Sequence, residues 1–310
     1  MSDTPVLLLV YRRPEITAHV LAAISTYRPK RLFVVADGPA NPAEEAGCRA
    51  ARDAAVAVGW PCEIETNFSP TNMGVRDRFF SALDWFFQRV SAGIVLEDDC
   101  VPAPDFFRFC SELLERYADD KRIVHISGET YATRPRPRHS YVFSKYPLSW
   151  GWATWRRAWT LRDPAMRTWP SFRESAEIDA LFDTPDERDY WTAVFDQTHA
   201  GRIPTTWDYL WWYTCMTQGL SIHPVVNLVT NVGAGTAAAV HMKAANDVLS
   251  RRPTQSLDAP LIHPEWIVRD KRADMDTFDW RFPGAVLRRQ RTLAHQIGRP
   301  FRWLSRISAR

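Results

Sequence analysis

Nothing in the sequence approaches the ~20 consecutive apolar residues of a membrane-spanning helix. The apolar run nearest the start, residues 6–11 (VLLLVY), is too short for the hydrophobic segment of a secretion signal, so the chain reads as cytoplasmic. Cysteine is sparse and unpatterned: five residues, at 48, 62, 100, 110 and 215, with no CxxC pair. That excludes a disulfide framework, speaks against zinc and fits a reducing compartment. Neither sign of charge dominates, since 39 Lys and Arg face 36 Asp and Glu. A net charge of +3 is too small to point to nucleic acid as a partner. What the chain does have is bulk. Its 310 residues, 45% hydrophobic, suffice for one large domain or two closely packed ones.

The acids are unevenly spread. In residues 93–107 (GIVLEDDCVPAPDFF) a short apolar strand, Ile94, Val95 and Leu96, runs directly into Glu97, Asp98 and Asp99. Open α/β sheets place their ligand crevices at this end of a strand. Three adjacent carboxylates repel one another, so solvent or a cation must compensate them. A solvated acidic turn is one reading. The other is a hard divalent cation held by one or two carboxylates, its shell completed by phosphate oxygens. An amphipathic helix follows, with Phe106, Phe109, Cys110, Leu113, Leu114 and Tyr117 at helical spacing.

Upstream, residues 6–11 and 31–37 (RLFVVAD) read as strands joined by a helix, each ending in polar residues that would face one crevice. A second helix over 41–58 and a third strand over 62–66 follow. Asn72 is a candidate cap for a helix marked by Val75, Phe79, Leu83, Phe86 and Val90. Arg76 and Arg78 in its first turn suit either a phosphate or solvent. With a further strand over 122–128, strands and helices alternate, which predicts a mainly parallel sheet.

From about residue 130 the texture changes. Nine of the fourteen tryptophans lie between Trp150 and Trp212. Such rings either fill a core or offer flat faces to sugars. Asp208 stands among aromatics in IPTTWDYLWWY; burial there would raise its pKa and suit it to accept a proton, while a helix N-cap is the plainer role. Residues 220–231 read as a strand bent at Pro224, and a small-residue loop from Gly233 leads to His241. The last 25 residues carry seven arginines and no acid at helical spacing with apolar residues. That pattern fits an anionic membrane surface, or a helix packed on the domain.

The stretch LEDDCVPAPDFFRFCSELLERYADDKRIVHISG resembles the metal-binding segment of GT-A glycosyltransferases, in particular the inverting N-acetylglucosaminyltransferase I type. With SWGWATW it also resembles bacterial sugar transferases of polysaccharide gene clusters. The likeness runs from about Pro5 to about Gly235. It implies a GT-A, Rossmann-like α/β fold: a donor half over 1–130, an aromatic-rich acceptor half over 131–240 and an extension over 241–310 with the basic helical tail.

The same resemblance implies roles for single residues. Arg13 and Asp37 would contact the nucleotide, and Arg76 a phosphate. Glu97 and Asp98 would touch ribose, sugar or groups behind the metal. Asp99 would ligate Mn2+ or Mg2+, with His241 a further metal or phosphate contact. Trp150, Trp152 and Trp207 would form the acceptor platform and Asp208 would be the base. Members of the family carry Asp-Arg where this chain has Arg12-Arg13, so position 12 does not transfer. Tyr209 stands where a second acid is found, which leaves Glu187 and Asp189 as rivals to Asp208. The implied reaction moves a sugar, with inversion, from a nucleotide-diphosphate donor, UDP-sugar favoured, to a hydroxyl of a glycan or lipid-linked saccharide. A sugar nucleotidyltransferase would need a glycine-rich basic loop after the first strand, where YRRPE has no glycine. A glycan-binding protein on a degenerate scaffold is the non-catalytic alternative.

Overall fold

The structure is a computed structural model describing residues 3–132, 138–203, 207–233, 249 and 252–296. Its first half alternates strand and helix: β1 (Val6–Val10), α1 (Pro14–Tyr27), β2 (Arg31–Ala36), α2 (Glu45–Val56), β3 (Glu63–Phe68), α3 (Val75–Arg89) and β4 (Ala92–Glu97). A short β5 (Cys100–Pro102), α4 (Pro104–Arg116) and β6 (Ile123–Ser127) follow. Strands β1 and β2 are near-continuous apolar runs because both faces are covered. Val6, Leu8, Leu32 and Val34 enter one core, and Leu7, Phe33 and Val35 enter the other.

The second half holds β7 (Tyr141–Ser144), β8 (Trp152–Trp155), short helices α5 (Arg156–Trp159), α6 (Trp169–Arg173) and α7 (Glu177–Leu181), then α8 (Pro185–His199) and α9 (Asp208–Gln218). Strands β9 (Leu220–Pro224) and β10 (Val229–Asn231) and helices α10 (Lys271–Trp280) and α11 (Gly284–Gln296) complete it. One sheet runs in the order β3-β2-β1-β4-β8-β6-β9-β7. Six of its strands point the same way; β8 lies antiparallel between β4 and β6, and β7 antiparallel beside β9. The mainly parallel α/β sheet is therefore present. It crosses residue 130 without interruption, since β8 of the second half is wedged between two strands of the first.

That insertion was not expected from the sequence, and it decides the fate of the tryptophans. Of the nine between positions 150 and 212, all but Trp150 are at most 5% exposed. Trp152 sits opposite Val95 and Ser127 in mid-sheet, stacked 5.0 Å from His125, and Trp207 stacks on Phe79. Their faces are occupied by protein rings. The platform expected of Trp152 and Trp207 is in this structure a core beneath the crevice.

The segment beyond residue 252 packs back on the sheet. Asp274 of α10, wholly buried, accepts from Ser144 Oγ at 2.5 Å and from the Lys145 amide at 3.3 Å. The described start of the basic tail is also packed: Leu287 is buried, Arg291 pairs with Asp186 and lies 2.9 Å from Asp189, and Arg288 pairs with Asp279. Residues 297–310 lie outside the described residues. No described helix is long and apolar enough to cross a membrane.

Burial raises the Asp274 carboxyl to about 7, against the pull of Lys145. A carboxyl raised above its unfolded value of ~3.9 contributes stability that is present in acid and lost as pH climbs through the raised value. Wild-type melting temperature is therefore expected to fall between about pH 4 and pH 7 more steeply than that of Asp274→Asn, which has no proton to lose. Parallel curves for the two proteins would show that Asp274 is not sealed in solution.

Candidate functional site

Parallel pairing of β1 with β4, Leu9 opposite Glu97, puts the ends of both strands side by side. Arg13 follows the one and the acids follow the other. Arg13 Nη2 lies 3.0 Å from Asp99 Oδ2 and pairs also with Asp98 Oδ1, while Nε donates to Asp98 Oδ2 at 3.3 Å. The Tyr11 amide donates to the same Oδ2 at 3.4 Å. Burial would lower the Arg13 guanidinium, but the charges of Asp98 and Asp99 hold it above its ordinary value. Asp98 is buried, and burial lifts its carboxyl despite Arg13. Glu97 is pushed well above the usual carboxylate range by burial, then by Asp99 and Asp98. Three neighbouring carboxyl groups thus have one guanidinium beside them.

The strand that follows the acids fixes Asp99 from the other side. Strand β5 pairs antiparallel with β10, Cys100 opposite Asn231. Asn231 Nδ2 then donates to Asp99 Oδ1 at 3.3 Å, and the Val232 amide donates to the Asp99 carbonyl at 2.9 Å. Gly233 closes this corner: a Cβ there would strike the Asp99 carboxylate and come within 2.9 Å of Arg13 Nη1. The strand expected over 220–231 is thus two strands, and the second has a partner that only the fold reveals.

No three His, Cys, Asp or Glu side chains among the described residues converge as a metal cage. Asp99, with one oxygen toward Arg13 and one toward Asn231, instead suits a hard cation that takes its remaining ligands from phosphate. His241 lies outside the described residues.

Asp208 is the first residue of α9 and only half-buried. A carboxylate there is favoured by the helix dipole, and its Oδ1 accepts from the Tyr209 amide at 3.0 Å. Its charge is among those that raise Glu97, so the two acidic places lie within electrostatic reach of each other. Tyr209, beside it, is pushed up to about 12 by burial and by Asp208. The rival acids are otherwise engaged. Glu187 is buried 2.8 Å from Lys145 Nζ and accepts from the Tyr146 hydroxyl, and Asp189 pairs with Arg291.

Two expected nucleotide contacts have other surroundings. Asp37 is buried and accepts from the amides of Gly38 at 2.9 Å, Met73 at 2.9 Å and Gly74 at 3.1 Å. It thereby fixes the turn into α3, the work expected of Asn72, whose side chain instead donates to the Gly38 carbonyl at 2.9 Å. Arg76 is exposed, pairs with Asp77 at 2.9 Å, and lines a cavity of about 460 Å³ with Phe80, Asp84, Arg162 and Leu210. None of the acids at 97–99 lines that cavity.

Trp150 is half-buried beside Glu129 and Arg281. Its amide donates to Glu129 Oε1 at 3.2 Å, and Arg281 lies over its ring with Cζ 5.1 Å from the centroid. Glu129, Asn231 and Arg281 were not singled out in the sequence. Glu129 could have been found: as Glu97 ends one buried strand, Glu129 follows closely after another, and burial pushes its carboxyl up. Arg281, in a stretch with no periodic signal, could not.

No family model matches the sequence, and no curated protein does. Similar solved structures include HddC from Yersinia pseudotuberculosis, at 9% identity and a TM-score of 0.32, over 50% of this chain and 77% of that one. Another is a 4-diphosphocytidyl-2C-methyl-D-erythritol synthase from Anaerococcus prevotii DSM 20548, at 8% identity and a TM-score of 0.32, over 63% and 85%. Mouse xyloside xylosyltransferase 1 is similar at 13% identity and a TM-score of 0.33, over 69% and 81%. Likenesses this distant carry no argument about chemistry.

Removing Arg13 would leave Asp98 buried without its cation. Arg13→Met is expected to destabilise the protein by ~3 kcal/mol, the low end for breaking a buried ion pair, read by urea unfolding. A loss under ~0.5 kcal/mol would mean that the pair is hydrated in solution.

Proposed function

We propose that the chain is an inverting GT-A glycosyltransferase that uses a nucleotide-diphosphate sugar and a divalent cation, Mn2+ or Mg2+. The observation that supports this reading is the nearness of two acidic places. An acid-rich strand end gripped by Arg13 lies on one side, and Asp208 lies near enough for its charge to act on Glu97. A cation held by Asp99 would neutralise charge growing on the leaving diphosphate. Asp98, already bonded to Arg13 and to the Tyr11 amide, would keep that corner in shape.

On the other side of the sugar Asp208 would take the proton of an acceptor hydroxyl as its oxygen attacks the anomeric carbon. Attack from the face opposite the diphosphate inverts that carbon. A half-buried carboxylate suits this role, because it must meet both the acceptor and, afterwards, solvent that carries the proton away. The acceptor would be a glycan or lipid-linked saccharide, with Trp150 as the ring it meets. The nucleotidyltransferase reading gains nothing from the site, since the turn after β1 has no glycine and Arg13 is turned onto the acids.

Two variants separate the roles. With a panel of nucleotide sugars and manganese, Asp208→Asn is expected to keep donor-dependent thermal stabilisation but lose about 100-fold or more in transfer rate. Asp99→Asn is expected to lose the manganese-dependent part of that stabilisation. Transfer undiminished in either variant, or no response of the wild type to any donor, would overturn the proposal.

A further inference from the structure

Arg281 follows the last residue of α10, its amide bonded to the Thr277 carbonyl at 2.9 Å. Its side chain turns back onto Trp150 and Phe282. The guanidinium carbon lies 5.1 Å from the Trp150 ring centroid and 5.5 Å from that of Phe282. Aromatic faces hold such a group in place without using its hydrogen-bond donors. Those donors are not spent elsewhere. Nε is enclosed with no hydrogen-bond partner, and no described carboxylate stands within ion-pairing distance.

A buried Nε–H with no acceptor is costly, and a ligand that supplied one would relieve that cost. Its surroundings say which side of the crevice it serves. The carboxylates whose charges act on it most are Glu129 and Asp208. Glu129 is itself committed to the Tyr131 hydroxyl at 2.8 Å and the Trp150 amide at 3.2 Å. Arg281 therefore stands with Trp150, within electrostatic reach of Glu129 and Asp208. An acidic crevice would repel an anionic acceptor unless one cation were kept for it.

We propose that Arg281, held over Trp150, binds an oxyanion of the acceptor, a phosphate or a carboxylate near the hydroxyl that reacts. The planar fork of arginine matches two oxygens of either group. The inference rests on the reading of Asp208 as the base on the acceptor side. It makes this crevice selective for acceptors that carry negative charge, such as a sugar phosphate or a uronic acid.

The test uses full-length protein preloaded with UDP and manganese, with glycerol 3-phosphate and glucuronate as separate probes of the two oxyanions. At least one probe is expected to raise the melting temperature of the wild type, and Arg281→Gln to weaken its binding about 10-fold or more. Arg281→Lys, which keeps the charge but loses the fork, is expected to fall between. Stabilisation by UDP and manganese should be the same in all three. A wild type indifferent to both probes, or a Gln variant that binds them equally well, overturns the inference. A Gln variant that loses its response to UDP also overturns it, by moving Arg281 to the donor. If the Gln variant does not fold, by circular dichroism, the wild-type and Lys titrations decide alone: equal affinities, or none, overturn it. A wild type that ignores UDP with manganese but binds a probe through Arg281 would instead refute the proposed function and leave an oxyanion site.

Discussion

The parallel pairing of β1 with β4 is the constraint on which the rest depends. It lays Arg13 against Asp98 and Asp99 at one edge of the sheet, and it leaves three acids with a single guanidinium between them. Burial raises both Glu97 and Asp98, and the neighbouring acids add to the rise against the pull of Arg13. The same two strands are buried on both faces, so the corner stands on rigid backbone.

Around that corner the second half of the chain supplies three supports that differ in kind. Strand β10 reaches β5 and sets Asn231 and Gly233 against Asp99. Strand β8, driven between β4 and β6, fills the space beneath the crevice with Trp152 and ties the two halves into one sheet. Helix α10, anchored by the buried Asp274, brings Arg281 over Trp150. Each joins segments far apart in sequence, so the crevice exists only in the completed fold.

Most of the first half of the chain was legible in the sequence because its signals are local. Continuous apolar runs marked β1, β2 and β4, and helical spacing marked α3 and α4. Expected and observed elements differ by a few residues at their ends, where capping by Asp37 rather than Asn72 sets the start of α3. Strand β8 was not legible: WATW is as apolar as a sugar platform or a core would be, and only a distant antiparallel partner tells them apart. The same holds within the site. Asp98, Asp99 and Asp208 were visible as acids in apolar surroundings, whereas Arg281 is an arginine among many whose surroundings are made by the fold.

The central claim is that one sugar lies between Asp99 and Asp208. A crystal structure with Mn2+ and a non-hydrolysable analogue of a UDP-sugar that stabilises the protein tests it most directly. The account predicts the metal on Asp99 and the anomeric carbon facing Asp208, with room for a single hydroxyl between them. A nucleotide seated elsewhere, or a sugar whose reacting carbon faces away from Asp208, would contradict it.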